Sequence, residues 1–260
     1  VCEKFGEDIS DVVVRHGDTA TSPYSTGTYA SRSMVMAGGA IARTCDVLGE
    51  KIRRLGAHLL QSEFEQTKIM EGQVTSPSGA VSFAEIARVW YRNPEELPEN
   101  PDPGGVEATF GFRPEPDKSP FSYATHGAVV AVDPQLGSVE ILDYVISEDC
   151  GTIVNPMIVD GQIIGGTLQG VGTALLEEST FDAEGQPLSS TFADYIMPGS
   201  TNLPVIRLDH IVTPSPLTEF GVKGLGEGGA IPPPSAIANA VNDAIKSYNV
   251  EVTETPITPR

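Results

Sequence analysis

The acidic side chain with the most suggestive surroundings is Glu227. It sits in G-V-K-G-L-G-E-G-G-A-I-P-P-P, between Gly221, Gly224 and Gly226 on one side and Gly228 and Gly229 on the other. Glycine gives up more backbone entropy on ordering than any other residue. A carboxylate framed in this way reads as backbone pressed against something, with the acid aimed at it. A solvated glycine loop with an exposed acid is the plainer alternative. A second stretch, His16 to Ser33, reads H-G-D-T-A-T-S-P-Y-S-T-G-T-Y-A-S-R-S. Its hydroxyls and accessible backbone N–H groups suit a polar or anionic ligand, and its composition equally suits an ordinary loop. A third, Met157 to Glu178, keeps a helical apolar stripe yet carries Gly161, Gly165, Gly166, Gly170 and Gly172. Each glycine costs a helix interior about 1 kcal/mol relative to alanine. The compensation expected is close approach to another backbone or to a bulky ligand, with Gln162 and Gln169 offering donor and acceptor to a heterocycle edge.

These residues need elements to hold them. Apolar positions from Met36 to Leu55 recur at helical spacing, so a long helix is expected from Met34 to about Leu60, with Ser33 as its cap. The hydroxyl-rich loop would then feed a helix N-terminus, where unpaired N–H groups favour anions. Residues 11–15 (D-V-V-V-R) read as a short buried strand, and 66–75 as another. Ser82 begins a short helix with Glu85 at the capping-box position, and Trp90 reads as packing. Residues 93–120 hold seven prolines and several acids, an excursion over the surface around an extended piece at 106–112. Residues 124–133 and 138–147 form a hairpin through P-Q-L-G. His126, early in its first strand, reads as a packed or hydrogen-bonded histidine before a catalytic one. Residues 205–212 alternate as a strand. After Pro232–Pro234, Ile237, Val241, Ala244, Ile245 and Tyr248 mark a final helix. Hairpins mixed with helices, without strict strand–helix alternation, indicate an α+β fold with mixed or antiparallel sheets and packed helices. Two subdomains are expected, 1–120 and 121–260.

Composition narrows the function classes. The 260-residue chain carries a net charge of −19, which disfavours nucleic acid and anionic membranes as partners. Its 27 glycines and 21 prolines exceed the usual shares of about 7% and 5%, favouring irregular connections over a helical bundle. Cys2, Cys45 and Cys150 make no C-x-x-C pair, so neither an iron–sulfur ladder nor a zinc ribbon is encoded, and a reducing, cytoplasmic setting fits. No apolar run reaches a membrane span. The start, V-C-E-K-F-G, lacks Met and reads as the middle of something. G-V-K-G-L-G-E lacks a Walker Lys-Ser/Thr and follows a poor strand, so it is no nucleotide fingerprint.

Five segments in order resemble one family. They are G-D-T…G-T-Y-A-S-R-S, D-C-G-T-I-V-N-P, G-Q-I-I-G-G-T-L-Q-G-V-G-T-A-L-L-E-E, A-D-Y-I-M-P and G-V-K-G-L-G-E-G-G-A…A-I-A-N-A-V-N-D-A-I. Together they resemble the C-terminal half of the molybdopterin-binding large subunit of the xanthine dehydrogenase/aldehyde oxidase family, the molybdenum hydroxylases, which includes carbon monoxide dehydrogenase large subunits. The resemblance implies molybdenum held by a pterin dithiolene, with no direct protein ligand, in the cytosine dinucleotide form. It implies Glu227 as general base in hydroxylation of an aldehyde, N-heterocycle or related small substrate with water-derived oxygen. It places Thr28, Ala30, Ser31, Arg32, Ser33 and Gln169 at the cofactor. It implies 2Fe–2S and FAD centres on partner subunits or domains, and an N-terminal half of the large subunit as a further partner. The family's earlier glycine–glutamine–glycine loop and first active-site loop have no counterpart in these residues, so the chain by itself is expected to be inactive. A scaffold of the same fold that binds no metal is the alternative.

Overall fold

The computed structural model describes residues 1–99, 101, 104–115 and 119–259. Within the expected 93–120 excursion, Asn100, Asp102, Pro103, Pro116, Asp117 and Lys118 lie outside the described residues. The chain divides into two compact units: Val1–Gly27 with Met36–Pro114, and Thr28–Val35 with Glu115–Arg260. Set beside a sequence boundary at 120, the units divide between Pro114 and Glu115, and the short segment Thr28–Val35 groups with the second.

The first unit opens with a one-turn helix, α1 (Cys2–Phe5), and contains most of α2 (Ser33–Leu59). Strands β1 (Lys68–Met70), β2 (Gln73–Ser76) and β3 (Gly79–Ser82) form an antiparallel meander. The single strand expected over 66–75 is two, because Glu71–Gly72 turns the chain with both residues at positive φ. Helix α3 (Phe83–Arg92) starts where expected: Ser82 Oγ accepts the Glu85 N–H at 3.1 Å. The Glu85 carboxylate turns to Arg88 instead of reaching back, so the cap is single-sided. Ile52, Leu55, Val74 and Ile86 make the core, with Trp90 packed on it. The strand expected at 11–15 is absent. Asp11 closes a 3-10 turn, and Val13 and Val14 are 78% and 76% exposed, since valines without a pairing edge lack the ladder that makes a strand.

The second unit is built on β4 (Tyr123–Val132), β5 (Val139–Asp149) and β6 (Ile206–His210), ordered β4-β5-β6. The first pair is the expected antiparallel hairpin, and β6 joins β5 in parallel. Helices α4 (Pro156–Leu175) and α5 (Pro233–Ile245) complete it. Asn155 caps α4 by accepting the Ile158 N–H at 3.3 Å, and Pro156 fills the first turn, where no N–H is needed. Tyr144, Ile146, Ile163, Val171, Ile237 and Val241 form the core, each apolar side chain contributing about 1.5–3 kcal/mol of burial. His126 packs edge-on to Tyr144, with Nδ1 3.0 Å from its hydroxyl. Burial pushes the imidazole down to about 4, so it stays neutral as a packed histidine. This is the α+β fold with mixed sheets that the sequence pattern indicates. Among the described residues no helix is long and apolar enough to cross a membrane.

The glycines of α4 divide by role. A Cβ on Gly166 would lie 3.0 Å from Ala230 N and 3.1 Å from Gly229 Cα, and one on Gly170 would meet Pro233 at 2.7 Å. Across the same contact, a Cβ on Gly229 would lie 2.4 Å from the Ile163 carbonyl oxygen. Helix and glycine tract therefore touch backbone to backbone. By contrast, Gly161 and Gly165 face open space. Gly229→Ala should lower unfolding stability by about 1–3 kcal/mol through overpacking. Gly165→Ala should raise that of the same chain by up to about 1 kcal/mol. Urea unfolding of both variants checks the pair, and equal effects would undo the division.

Candidate functional site

Glu227 lies in a turn over 226–230, in which Gly228 N–H donates to Leu225 O at 2.9 Å and Ala230 N–H to Glu227 O at 3.0 Å. Ser31 meets it in two bonds. The Ser31 hydroxyl donates to Glu227 Oε2 at 2.9 Å and accepts the Glu227 backbone N–H at 2.9 Å. Ala30 and Ser31 both hold positive φ, 50° and 54°. Such non-glycine conformations are uncommon, and two in succession form a tight bend. That bend requires bare backbone opposite, since a Cβ on Gly224 would lie 2.5 Å from Ser31 O. The Ala30–Ser31 bend and the glycine tract, far apart in sequence, thus meet within the second unit.

The strand end and the tract are locked together. Lys223 N–H donates to Cys150 O at 2.8 Å, and Gly151 pairs with Val222 in an antiparallel bridge. Lys223 Nζ donates to Asp149 Oδ1 at 3.0 Å, with the side chains only 7% and 1% exposed. The ammonium also lies 4.4 Å from the Tyr123 ring centre. Burial pushes the Asp149 carboxyl up, but hydrogen bonds from Thr213, Gly151, Lys223 and Tyr123 outweigh it and hold the group well below its usual range. Neither Lys223 nor Asp149 announces this pairing in the sequence, where both stand inside motifs without a role of their own. A single lysine amid glycines was the available signal.

Beside the turn lies a cavity of about 310 Å³ whose lining includes Ser31, Ser33, Cys150, Asn155, Gln162 and Gly226. Gln162 Nε2 donates to Gly226 O at 3.2 Å. Of the other positions singled out, Ser33 is the first residue of α2, not its cap, and its hydroxyl donates to Thr28 Oγ1 at 2.9 Å. Arg32 folds onto Tyr29, its guanidinium 4.4 Å from the ring centre and bonded to the phenol. Ala30 is exposed at the bend. Gln169 is exposed two turns beyond Gln162 on the same face of α4; it does not line the cavity, whereas Gln162 does. A larger cavity of about 430 Å³ in the first unit, against Lys51, Arg54 and Trp90, contains none of these residues. Among the described residues no cluster of His, Cys, Asp and Glu is arranged to hold a metal ion.

The model for the molybdopterin cofactor-binding domain matches residues 1–204. The chain belongs to that family. It is 36% identical over 259 residues to the nicotine 6-hydroxylase large subunit of Paenarthrobacter nicotinovorans, covering 98% of this chain and 31% of that protein. It is 33% identical over 261 residues to the carbon monoxide dehydrogenase large chain of Hydrogenophaga pseudoflava, covering 99% and 32%. Quinoline 2-oxidoreductase from Pseudomonas putida 86 superposes with a TM-score of 0.89 at 37% identity, over 99% of this chain and 33% of that one. The chain therefore spans about a third of the length of the curated relatives it matches. These relatives are molybdenum hydroxylases, and the resemblance read from the five motifs is to this family.

The residues present fit such a cofactor. From Gln162 toward Gln169 the exposed face of α4 carries Gly165, where an added Cβ would find nothing within 4 Å. An open helix face flanked by two amides suits the flat, donor- and acceptor-rich edge of a pterin.

Proposed function

We propose that this chain forms one wall of a molybdopterin site in an oxidoreductase that hydroxylates a small aromatic nitrogen heterocycle, with Glu227 as the general base. The observation that carries the reading is the reciprocal Ser31–Glu227 contact beside a cavity walled mainly by apolar side chains such as Ile158, Val222 and Leu225, into which Ser31, Asn155 and Gln162 bring polar groups. Ser31 occupies one carboxylate oxygen and the backbone N–H, which aims the side chain and leaves the second oxygen available to take a proton. The bend through Ala30, Ser31, Arg32 and Ser33 presents hydroxyl and backbone donors to the cofactor, together with Thr28. Gln162 and Gln169 border the pterin along α4. When bound, the cofactor supplies the redox-active metal, and its cytosine dinucleotide form agrees with the relatives being bacterial. Nicotine and quinoline in the names of two relatives support an N-heterocycle ahead of an aldehyde as substrate. The rest of the large subunit closes the site, 2Fe–2S and FAD partners accept the electrons, and the complex works in the cytoplasm.

The test is assembly of this chain with the remainder of a large subunit, followed by elemental analysis. About one molybdenum per complex is expected, with heterocycle-dependent reduction of an electron acceptor. A well-assembled complex without molybdenum would favour a scaffold of the same fold.

A further inference from the structure

Directly beneath the Glu227 turn lies a second carboxyl group, Glu148, at the end of β5. It is 1% exposed, and neither side-chain oxygen has a hydrogen-bond partner among the described residues. A Cβ on Gly228 would lie 3.1 Å from Glu148 Oε1, so the bare backbone of the turn is seated against the carboxyl.

The charged groups around it are committed elsewhere. Asp149, next in the strand, holds Lys223, the cation of the tract. His210, the partner of Glu148 in the β5–β6 register, directs Nε2 to Asp160 Oδ1 on α4 at 2.8 Å and leaves its buried Nδ1 unpartnered. Glu227, on the turn itself, has the same sign as an ionised Glu148. A buried carboxylate without donors is disfavoured relative to its protonated form. Burial is the main cause here; His210 opposes it and Asp149 adds to it, and the group is pushed up to about 7.

We propose that Glu148 is a positioning residue for the 226–230 turn: its uncharged carboxyl is the seat of Gly228, and ionisation loosens the turn that carries Glu227. The nearby turn is exposed at Gly226 and Glu227, and Gly228 stands against the Glu148 carboxyl on that side, so an ionised Glu148 drawn toward this water presses on Gly228. The inference rests on Glu227 being the working group only for its consequence in catalysis; the seating itself concerns backbone geometry.

Hydrogen exchange of the 260-residue chain tests it. The Gly228 and Ala230 amides, which close the turn, should lose roughly tenfold protection between pH 6 and pH 8 after correction for intrinsic rates, as ionisation passes from about a tenth to about nine-tenths. Amides in the middle of β5 should not change. Glu148→Gln, neutral at both pH values, should keep the protection of pH 6 throughout. Flat wild-type protection overturns the proposal, as does the same pH-dependent drop in Glu148→Gln. Should that variant not fold, the wild-type comparison decides alone. Neither measurement needs cofactor or turnover, so failure of the base role of Glu227 would appear separately, as retained activity in its own glutamine variant.

Discussion

In the assembled enzyme, Glu227→Gln is expected to lower turnover by roughly 10²–10⁴-fold, the range for loss of a general base, with molybdenum content unchanged. Glutamine keeps the size of the side chain, and its amide oxygen can still accept from Ser31 Oγ. The backbone N–H of residue 227 still donates to the same hydroxyl, so the turn is preserved. Only the capacity to take a proton is lost. Steady-state kinetics separate this from a binding effect: kcat should fall while KM moves little. Full turnover at normal metal content would remove Glu227 from the chemistry. Loss of metal together with activity would make it a cofactor-holding residue instead. Ser31→Ala is a useful companion, since it removes both bonds that aim the carboxylate while leaving the base itself.

Lys223→Met is the substitution expected to damage the fold most, by about 3–5 kcal/mol, because it leaves the Asp149 carboxylate buried without its cation. Thr213 and Gly151 would remain as donors to Asp149 and cannot supply the missing charge. Asp149→Asn combined with Lys223→Met should recover much of the loss, since the uncompensated charge is then gone. Denaturant unfolding of both single variants and the double variant gives the coupling directly. A loss below about 1 kcal/mol in Lys223→Met would mean the pair is a minor support. The pH dependence has a definite sign. Asp149 lies below its ordinary value of 3.8 in the fold, so its stabilisation is complete above that value and is lost as pH falls below it. Glu148 works the other way: raised to about 7 from 4.5, it makes stability fall as pH rises through that interval. The two acids are consecutive in sequence, and their opposite behaviour follows from one having donors and the other none.

Much of the second unit was legible because its signals are local. The hairpin of β4 and β5, the glycine-bearing α4 and the proline-started α5 each carry their own period and punctuation. The cap on α3 was legible for the same reason, down to Ser82. The strand expected at residues 11–15 shows the limit. Three valines in a row satisfy a strand pattern, but a strand needs an edge to pair with, and pairing is not written in the run itself. Two positive-φ residues likewise split the stretch over 66–75. At the site, the five ordered motifs pointed to the family, and Ser31 was among the residues carried over. What they could not supply was the pairing of Ser31 with Glu227 or the burial of Glu148 and Lys223. Those are tertiary facts, set by which backbone a glycine allows to come near. Gln162 and Gln169 looked equivalent by type, and only the position of the tract along α4 separates them.

The Ser31–Glu227 contact joins positions 196 residues apart. Chain closure over such a span is entropically late compared with local hairpins and helices. During synthesis the hydroxyl-bearing bend emerges long before its acidic partner, and until residue 227 has left the ribosome Ser31 has no carboxylate to meet. A nascent chain that stops short of residue 227 therefore cannot display the paired geometry, however well its hairpin and helices have formed.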